Sequence, residues 1–313
     1  PSLVMGAASV DIPTIVLSGG PMLAGHFQGR KIGTSDIWRF AAQHKTGELT
    51  QAEFIEAEAC MARSAGHCAV MGTAATMASM VESLGLSLPN NASIPAADSR
   101  RKVMAHLTGN RIVEMVRENL TMSKILTREA FENCIMTNAA IGGSTNFVIH
   151  LLAIAGRIGV ELNLEDFDRL SAHIPFIANV QPSGEHFFED LYYAGGLPAV
   201  MKELEGFLHL DALTASGLTV GQCIHNARCD NRDIIATVDE PFKPNTGLVV
   251  LKGNLAENGA VLKPSAASEH LMQHTGRAVV FEDIDDLKAR IDAPDLDVDE
   301  TCILVLKNVG PRG

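Results

Sequence analysis

The chain changes texture near Ile235, and that change restricts what it can fold into. Before it, apolar residues recur at helical spacing. After it they come as short runs broken by Gly, Asn and Pro: Gly247-Leu-Val-Val-Leu-Lys-Gly253, Gly259-Ala-Val-Leu262, Arg277-Ala-Val-Val-Phe281 and Cys302-Ile-Leu-Val-Leu306. Runs of this length and punctuation read as strands, with one small helix predicted over 284–291. The expected fold class is α/β. A domain with many helices around a sheet, residues 1–235, precedes a β-rich, barrel-like domain, residues 236–313, with the boundary between Asp230 and Asn245. At 313 residues and 46% hydrophobic, the chain has enough apolar surface to bury a core in each. It shows no internal repeat and no low-complexity tract.

Within the first domain the pattern predicts helices over 2–10, 48–63, 69–84, 99–119, 127–136 and 147–158. Gly85 and Pro89-Asn-Asn91 end the third of these, and Asp98 or Ser99 caps the fourth. Pro13-Thr-Ile-Val-Leu17 reads as a buried strand running into Ser18-Gly-Gly-Pro-Met22. That glycine loop either lets the backbone approach a ligand or is an ordinary turn.

The stretch with most chemistry in it is Ser64-Ala-Gly-His-Cys-Ala-Val-Met-Gly-Thr-Ala-Ala-Thr-Met77. It sets Cys68 behind Gly66 at the predicted first turn of a helix, which then runs through Ala69, Gly72, Ala74, Ala75 and Ala78 toward Glu82. A helix N-terminus favours thiolate over thiol, and small residues behind it admit a cofactor or another backbone. The plainer reading is a buried cysteine on a closely packed helix. Further on, Gly142-Gly-Ser-Thr-Asn146 opens a helix. Its backbone N–H groups and hydroxyls either hold a carboxylate or phosphate, or Ser144 or Thr145 simply caps the helix.

Net charge is −12, from 25 basic and 37 acidic residues, which argues against nucleic-acid or anionic-membrane partners. No apolar run approaches the roughly 20 residues of a bilayer span, and no secretory signal pattern is present. Six scattered cysteines (60, 68, 134, 223, 229 and 302) without C-x-x-C spacing suit reduced thiols and a cytoplasmic setting.

Taken together, Met5-Gly-Ala-Ala-Ser9, Leu17-Ser-Gly-Gly-Pro-Met22, Gly66-His-Cys-Ala-Val-Met-Gly-Thr-Ala74, Glu82-Ser-Leu-Gly-Leu-Ser-Leu-Pro89, Leu126-Thr-Arg-Glu-Ala-Phe-Glu-Asn133 and Ala140-Ile-Gly-Gly-Ser-Thr-Asn146 resemble the dihydroxy-acid dehydratase/phosphogluconate dehydratase family. Leu251-Lys-Gly-Asn-Leu255 with Gly259-Ala-Val-Leu-Lys263 resembles the start of its C-terminal β domain. Met71-Gly-Thr-Ala74 and Ile94-Pro-Ala-Ala-Asp-Ser-Arg-Arg101 look more like the aldonate (sugar-acid) dehydratases than the branched-chain enzymes.

The resemblance implies an iron–sulfur hydro-lyase that converts a 2,3-dihydroxy sugar acid to a 2-keto-3-deoxy acid. Its implied cofactors are a [2Fe–2S] cluster on three cysteines and a Mg²⁺ ion. Cys68 matches one cluster ligand, and Cys60, Cys134, Cys223, Cys229 and Cys302 match none. The family's other cluster cysteines and Mg²⁺ ligands, and its catalytic serine, match no residue between Pro1 and Gly313. Pro1 matches the proline that follows the Gly-Cys-Asp-Lys motif, and the serine lies beyond Gly313. The chain therefore reads as an internal fragment, expected to be inactive alone. Candidate substrate-binding residues are Ser18, Gly19, Gly20, His67, Thr73, Ser144, Thr145 and Asn146. The implied partners are a small sugar acid and other copies of the chain, as a dimer or tetramer. The alternatives are a dihydroxy-acid dehydratase of branched-chain amino-acid biosynthesis and a truncated, non-catalytic relative.

Overall fold

The computed structural model describes residues 1–244 and 247–309; Asn245, at the far end of the expected boundary, and the terminal Gly310-Pro-Arg-Gly313 lie outside them. The chain divides into two compact units, Pro1–Ala266 and Ala267–Gly313.

The first unit opens with α1 (Ser2–Val10), which stops where Asp11 turns left-handed at φ 45°. The antiparallel hairpin β1 (Gly25–Phe27) and β2 (Arg30–Ile32) turns on Gln28 and Gly29, both with positive φ, the conformation that matches strand twist in a two-residue loop. Helices α2 (Ile37–Lys45) and α3 (Gln51–Met61) fold against it around Phe27, Ile32, Phe40, Ala57 and Met61. Thr50 caps α3 with a reciprocal Glu53 capping box.

The middle of the unit is built on α4 (Thr73–Ser83) and α7 (Arg128–Ala140), buried along most of their lengths. The alanines on both let the two helices lie close. Between them in sequence come α5 (Ser99–Arg117), capped by Asp98, and α6 (Met122–Ile125). One apolar cluster joins Met80, Val81, Phe131 and Cys134 to α8 (Asn146–Ile158) and α9 (Leu164–Ser171). Another joins Ala75, Ala78, Met136 and Ala139 to α10 (Phe188–Tyr193), α11 (Gly196–Glu203) and α12 (Val220–Ile224). The antiparallel pair β3 (Val249–Gly253) and β4 (Ala256–Leu262) belongs to this unit too. It is tied to α9, where Ser171 Oγ donates to the Leu248 carbonyl at 3.0 Å.

In the second unit β5 (Ala278–Phe281) and β6 (Ile303–Leu306) are parallel, joined through α13 (Ile284–Arg290), whose cap Asp283 accepts from the Asp285 and Asp286 N–H groups. A parallel pair requires such a crossover.

The mixed α/β class is what the sequence predicts. Among the described residues the strands form only two-stranded sheets, with no closed barrel, and the helices pack mainly on one another. Two expectations are corrected. Pro13–Leu17 is not a strand: Pro13 has no N–H to give a ladder, and among the described residues the one backbone bond made by its apolar residues runs from Val16 N to the Leu86 carbonyl. The helix predicted from Ala69 begins only at Thr73, with Gly72 as its N-cap. Residues 69–71 spend their backbone groups on distant partners instead, with Phe188 N donating to Ala69 O at 2.7 Å and Met71 N to Gln181 O at 2.7 Å.

Candidate active site

The two glycine-bearing loops meet. Met22 N donates to the His67 carbonyl at 2.8 Å and His67 N to the Gly20 carbonyl at 3.0 Å, a parallel bridge between Pro21 and His67. The approach needs glycine on both sides. Gly20 (φ 87°) lies against the Ile94 carbonyl, and Gly66 (φ 132°) lies against the Pro21–Met22 backbone, where a Cβ would overlap.

Cys68 stands in this irregular segment, five residues before α4 begins, so the expected placement at a helix first turn is wrong. Its Sγ instead lies 2.7 Å from Thr34 Oγ1, half-buried against Ala24, Ala69, Val70 and Phe187. His67 Nδ1 is 3.0 Å from the Cys68 carbonyl. A carbonyl only accepts, so this contact assigns the proton to Nδ1. Burial, with the Arg101 charge adding to it, pulls the imidazole below its ordinary pKa against the opposing Cys68 bond. Neutral His67 therefore carries a bare lone pair on Nε2, which is buried and unpartnered.

A second layer fixes the Ser18 loop. Ser18 N donates to Asn91 Oδ1 at 3.0 Å, and Asn91 Nδ2 donates to Ser18 Oγ at 3.1 Å. Arg101, buried on α5, holds Asn91 in turn through Nη1 to Oδ1 at 3.1 Å and Nη2 to its carbonyl at 2.9 Å, and Nη2 also reaches the Ile94 carbonyl. Glu82, at the end of α4, accepts the Asn90 N–H at 2.7 Å and the Ala92 N–H at 2.6 Å. Burial pushes its carboxyl up to about 7, against those two bonds and the Arg101 charge. The sequence reading missed this layer, because Asn91 read as a helix stop and Glu82 as a helix end. The available signal was an arginine one turn before Met104 on the inward stripe of α5.

Ser18, Gly19 and His67 line one open cleft, with Val16, Ala74, Met77, Ala78 and Val81 and the start of α1 as its apolar walls. Gly20 sits behind it as backbone support. The other candidates gather where α4 and α8 begin. Thr73 Oγ1 is 3.2 Å from Ser144 Oγ and accepts from Asn146 Nδ2 at 2.9 Å. Ser144 N donates to Thr76 Oγ1 at 2.9 Å. Ser144 Oγ also accepts from Asn146 N at 3.3 Å, a turn just ahead of α8, while the N–H groups of Phe147 and Val148 turn back to the Ser144 and Thr145 carbonyls. Thr145 is exposed and its side chain makes no cap bond. The Ser144 hydroxyl is spent on Thr73 and on the turn ahead of α8 rather than on a side-chain cap. The first turn of α4 links the groups, since Thr73 belongs to this one and Ala74 to the cleft.

All six cysteines are unpaired thiols. Cys134 lies in the core beside Ser83, and burial pushes its thiol up to about 12, an inert structural role. Among the described residues no three His, Cys, Asp or Glu side chains converge as a metal-ligand set, and no helix is long and apolar enough to cross a membrane.

Comparison with known proteins gives these loops a context. Residues 1–223 match the N-terminal domain of the dihydroxy-acid/6-phosphogluconate dehydratases, and residues 233–313 match their C-terminal domain. The L-arabinonate dehydratase of Rhizobium leguminosarum bv. trifolii is 58% identical over 316 residues, covering all of this chain and 55% of that protein. The L-arabonate dehydratase of Azospirillum brasilense is 55% identical, again over all of this chain and 54% of its own length. A dihydroxy-acid dehydratase of Methanothermobacter thermautotrophicus is 43% identical, with 57% of it covered. The chain thus spans about half the length of the curated relatives it matches. With both domains of one family matched in order along it, the chain belongs to the dihydroxy-acid/6-phosphogluconate dehydratase family.

Proposed function

We propose that the protein carrying this chain is a hydro-lyase acting on a sugar acid. It removes the C2 proton and the C3 hydroxyl of a 2,3-dihydroxy acid as water, and the resulting enol becomes a 2-keto-3-deoxy acid. The observation that carries this reading is the contrast in similarity: 58% and 55% identity to two arabinonate dehydratases against 43% to a dihydroxy-acid dehydratase. The cleft chemistry supports it. An acceptor at His67 Nε2 suits a hydroxyl donor, and Ser18 adds a second polar group held in place by Asn91. A branched-chain substrate gives these groups less to bond to.

The resemblance assigns Cys68 to a [2Fe–2S] cluster and adds Mg²⁺. The described residues by themselves hold neither, since a cluster of this kind takes several thiolates and Cys68 is here the single thiol at a ligand position. The cofactors, a homo-oligomeric state of two or four copies and a cytoplasmic location belong to the proposal as a whole. The chain's own share is to present Cys68, to orient the substrate through Ser18, the Gly19 backbone and His67, and to exclude water with the α4 wall. Thr73, Ser144, Thr145 and Asn146 stand as further substrate candidates next to that wall.

The test is 2-keto acid formation from arabinonate, xylonate, gluconate and 2,3-dihydroxyisovalerate by the protein at its full coding length. A buried polar group left without a partner costs about 1–3 kcal/mol. A sugar acid should therefore exceed the branched-chain acid in kcat/KM by roughly tenfold or more. Preference for 2,3-dihydroxyisovalerate would replace this reading with the branched-chain one.

A further inference from the structure

The end of β4 carries a second cluster of polar groups, apart from the cleft. Lys263 Nζ donates to the Gly142 carbonyl at 2.6 Å. Two residues on, the Ser265 carbonyl accepts from Lys243 Nζ at 3.1 Å, and Ser265 Oγ lies 3.4 Å from Ser183 Oγ. Ser183 Oγ in turn sits against the Cα of Gly142, where a Cβ would touch it. Lys243 is held in place by a backbone bridge to Phe176, which also packs on Gly142. The six residues form one connected cluster.

Two cations stand in that cluster with no carboxylate partner among the described residues. Lys31, Lys202, Lys252 and Lys307 each pair with a carboxylate; among the described residues Lys243 and Lys263 have none, like Lys45, Lys102, Lys124 and Lys288, but these two stand together. An ammonium has three N–H donors, and the structure gives each of these one carbonyl, so donors remain free beside two hydroxyls. Lys243 is exposed, whereas Lys263 is partly buried, and partly buried charge is normally compensated by a partner. Lys263 shows the strain of lacking one, since burial and then the Lys243 charge hold it down at about 8.

We propose that Lys243, Lys263, Ser183 and Ser265 form a binding site for a small oxyanion, a carboxylate or a phosphate group. An anion there takes up the free donors, and the hydroxyls complete its coordination. The site stands whether or not the protein is a dehydratase, because nothing in the argument uses that chemistry.

The probes are inorganic phosphate and acetate, titrated calorimetrically into the full-length protein at constant ionic strength in chloride. At least one should bind one-to-one, phosphate pointing to a free phosphate or phosphoryl ligand and acetate to a carboxylate. Lys263→Met and Lys243→Met should each weaken binding by about tenfold or more, the loss of roughly one charge-assisted bond, and Lys263→Arg should keep most of it. Lys243 is exposed, so its variant remains a fair test if Lys263→Met fails to fold. Equal affinity in wild type and Lys243→Met, or no binding of either anion by the folded protein, overturns the site.

Discussion

At the scale of single residues, Glu82 shows how far a side chain can be from what its sequence position suggests. It reads as the polar end of an amphipathic helix, yet it is buried with both oxygens bonded to backbone N–H groups and its carboxyl raised from 4.5 to about 7. The folded protein therefore keeps a proton that the unfolded chain releases from about pH 4.5 upward. The stability tied to this proton is complete below that pH and is lost as pH rises through about 7. Urea midpoints measured from pH 5 to 8 should decline more in wild type than in Glu82→Gln, which has no proton to release. Parallel declines in the two proteins would show that Glu82 is ionised throughout. The candidate-site residues that stand out in the sequence are those with distinctive chemistry or backbone: Cys68, His67 and the glycines. Asn91 and Arg101 do not, because their importance lies in which carbonyls and hydroxyls the fold brings to them, and no local spacing encodes that.

At the scale of elements, the pattern was read correctly where an element depends on its own residues. Helix α1, the Asp98 cap of α5, α8 and the four strands after residue 245 fall close to their predicted spans. The reading failed where distant backbone outbids local propensity. Ala69-Val-Met71 is good helix material, but Phe188 and Gln181 claim its backbone groups, so Cys68 loses its helix terminus. The loop that results depends on Gly66. Gly66→Ala should lower stability by about 2 kcal/mol or more, since it meets both a positive φ and the Met22 backbone. Gly6→Ala in α1, with open space around it, should raise stability by about 0.5–1 kcal/mol. Urea denaturation of the two variants checks both signs, and a harmless Gly66→Ala would mean the two loops do not approach as described.

At the scale of the whole molecule, the same closeness recurs. Alanine-rich faces of α4 and α7 carry apolar clusters on both sides, and the cleft opens along the α4 face that bears Ala74 and Ala78. Mixed α/β character was visible in the spacing of apolar residues. The compact units divide after Ala266 because β3 and β4, which in sequence look like the rest of the β-rich segment, pack on the helical unit through contacts such as Ser171 with Leu248.

The central claim is a dehydratase whose cofactor is anchored in part by Cys68, and one measurement tests it most directly. The full-length protein, purified without oxygen as wild type and as Cys68→Ser, is compared for visible absorption, iron content and dehydration of arabinonate, with circular dichroism to confirm folding. The account predicts a brown, iron-containing, active wild type and a folded variant that has lost colour and activity together. A colourless wild type after cluster reconstitution, or a folded Cys68→Ser variant with unchanged iron and activity, would contradict it.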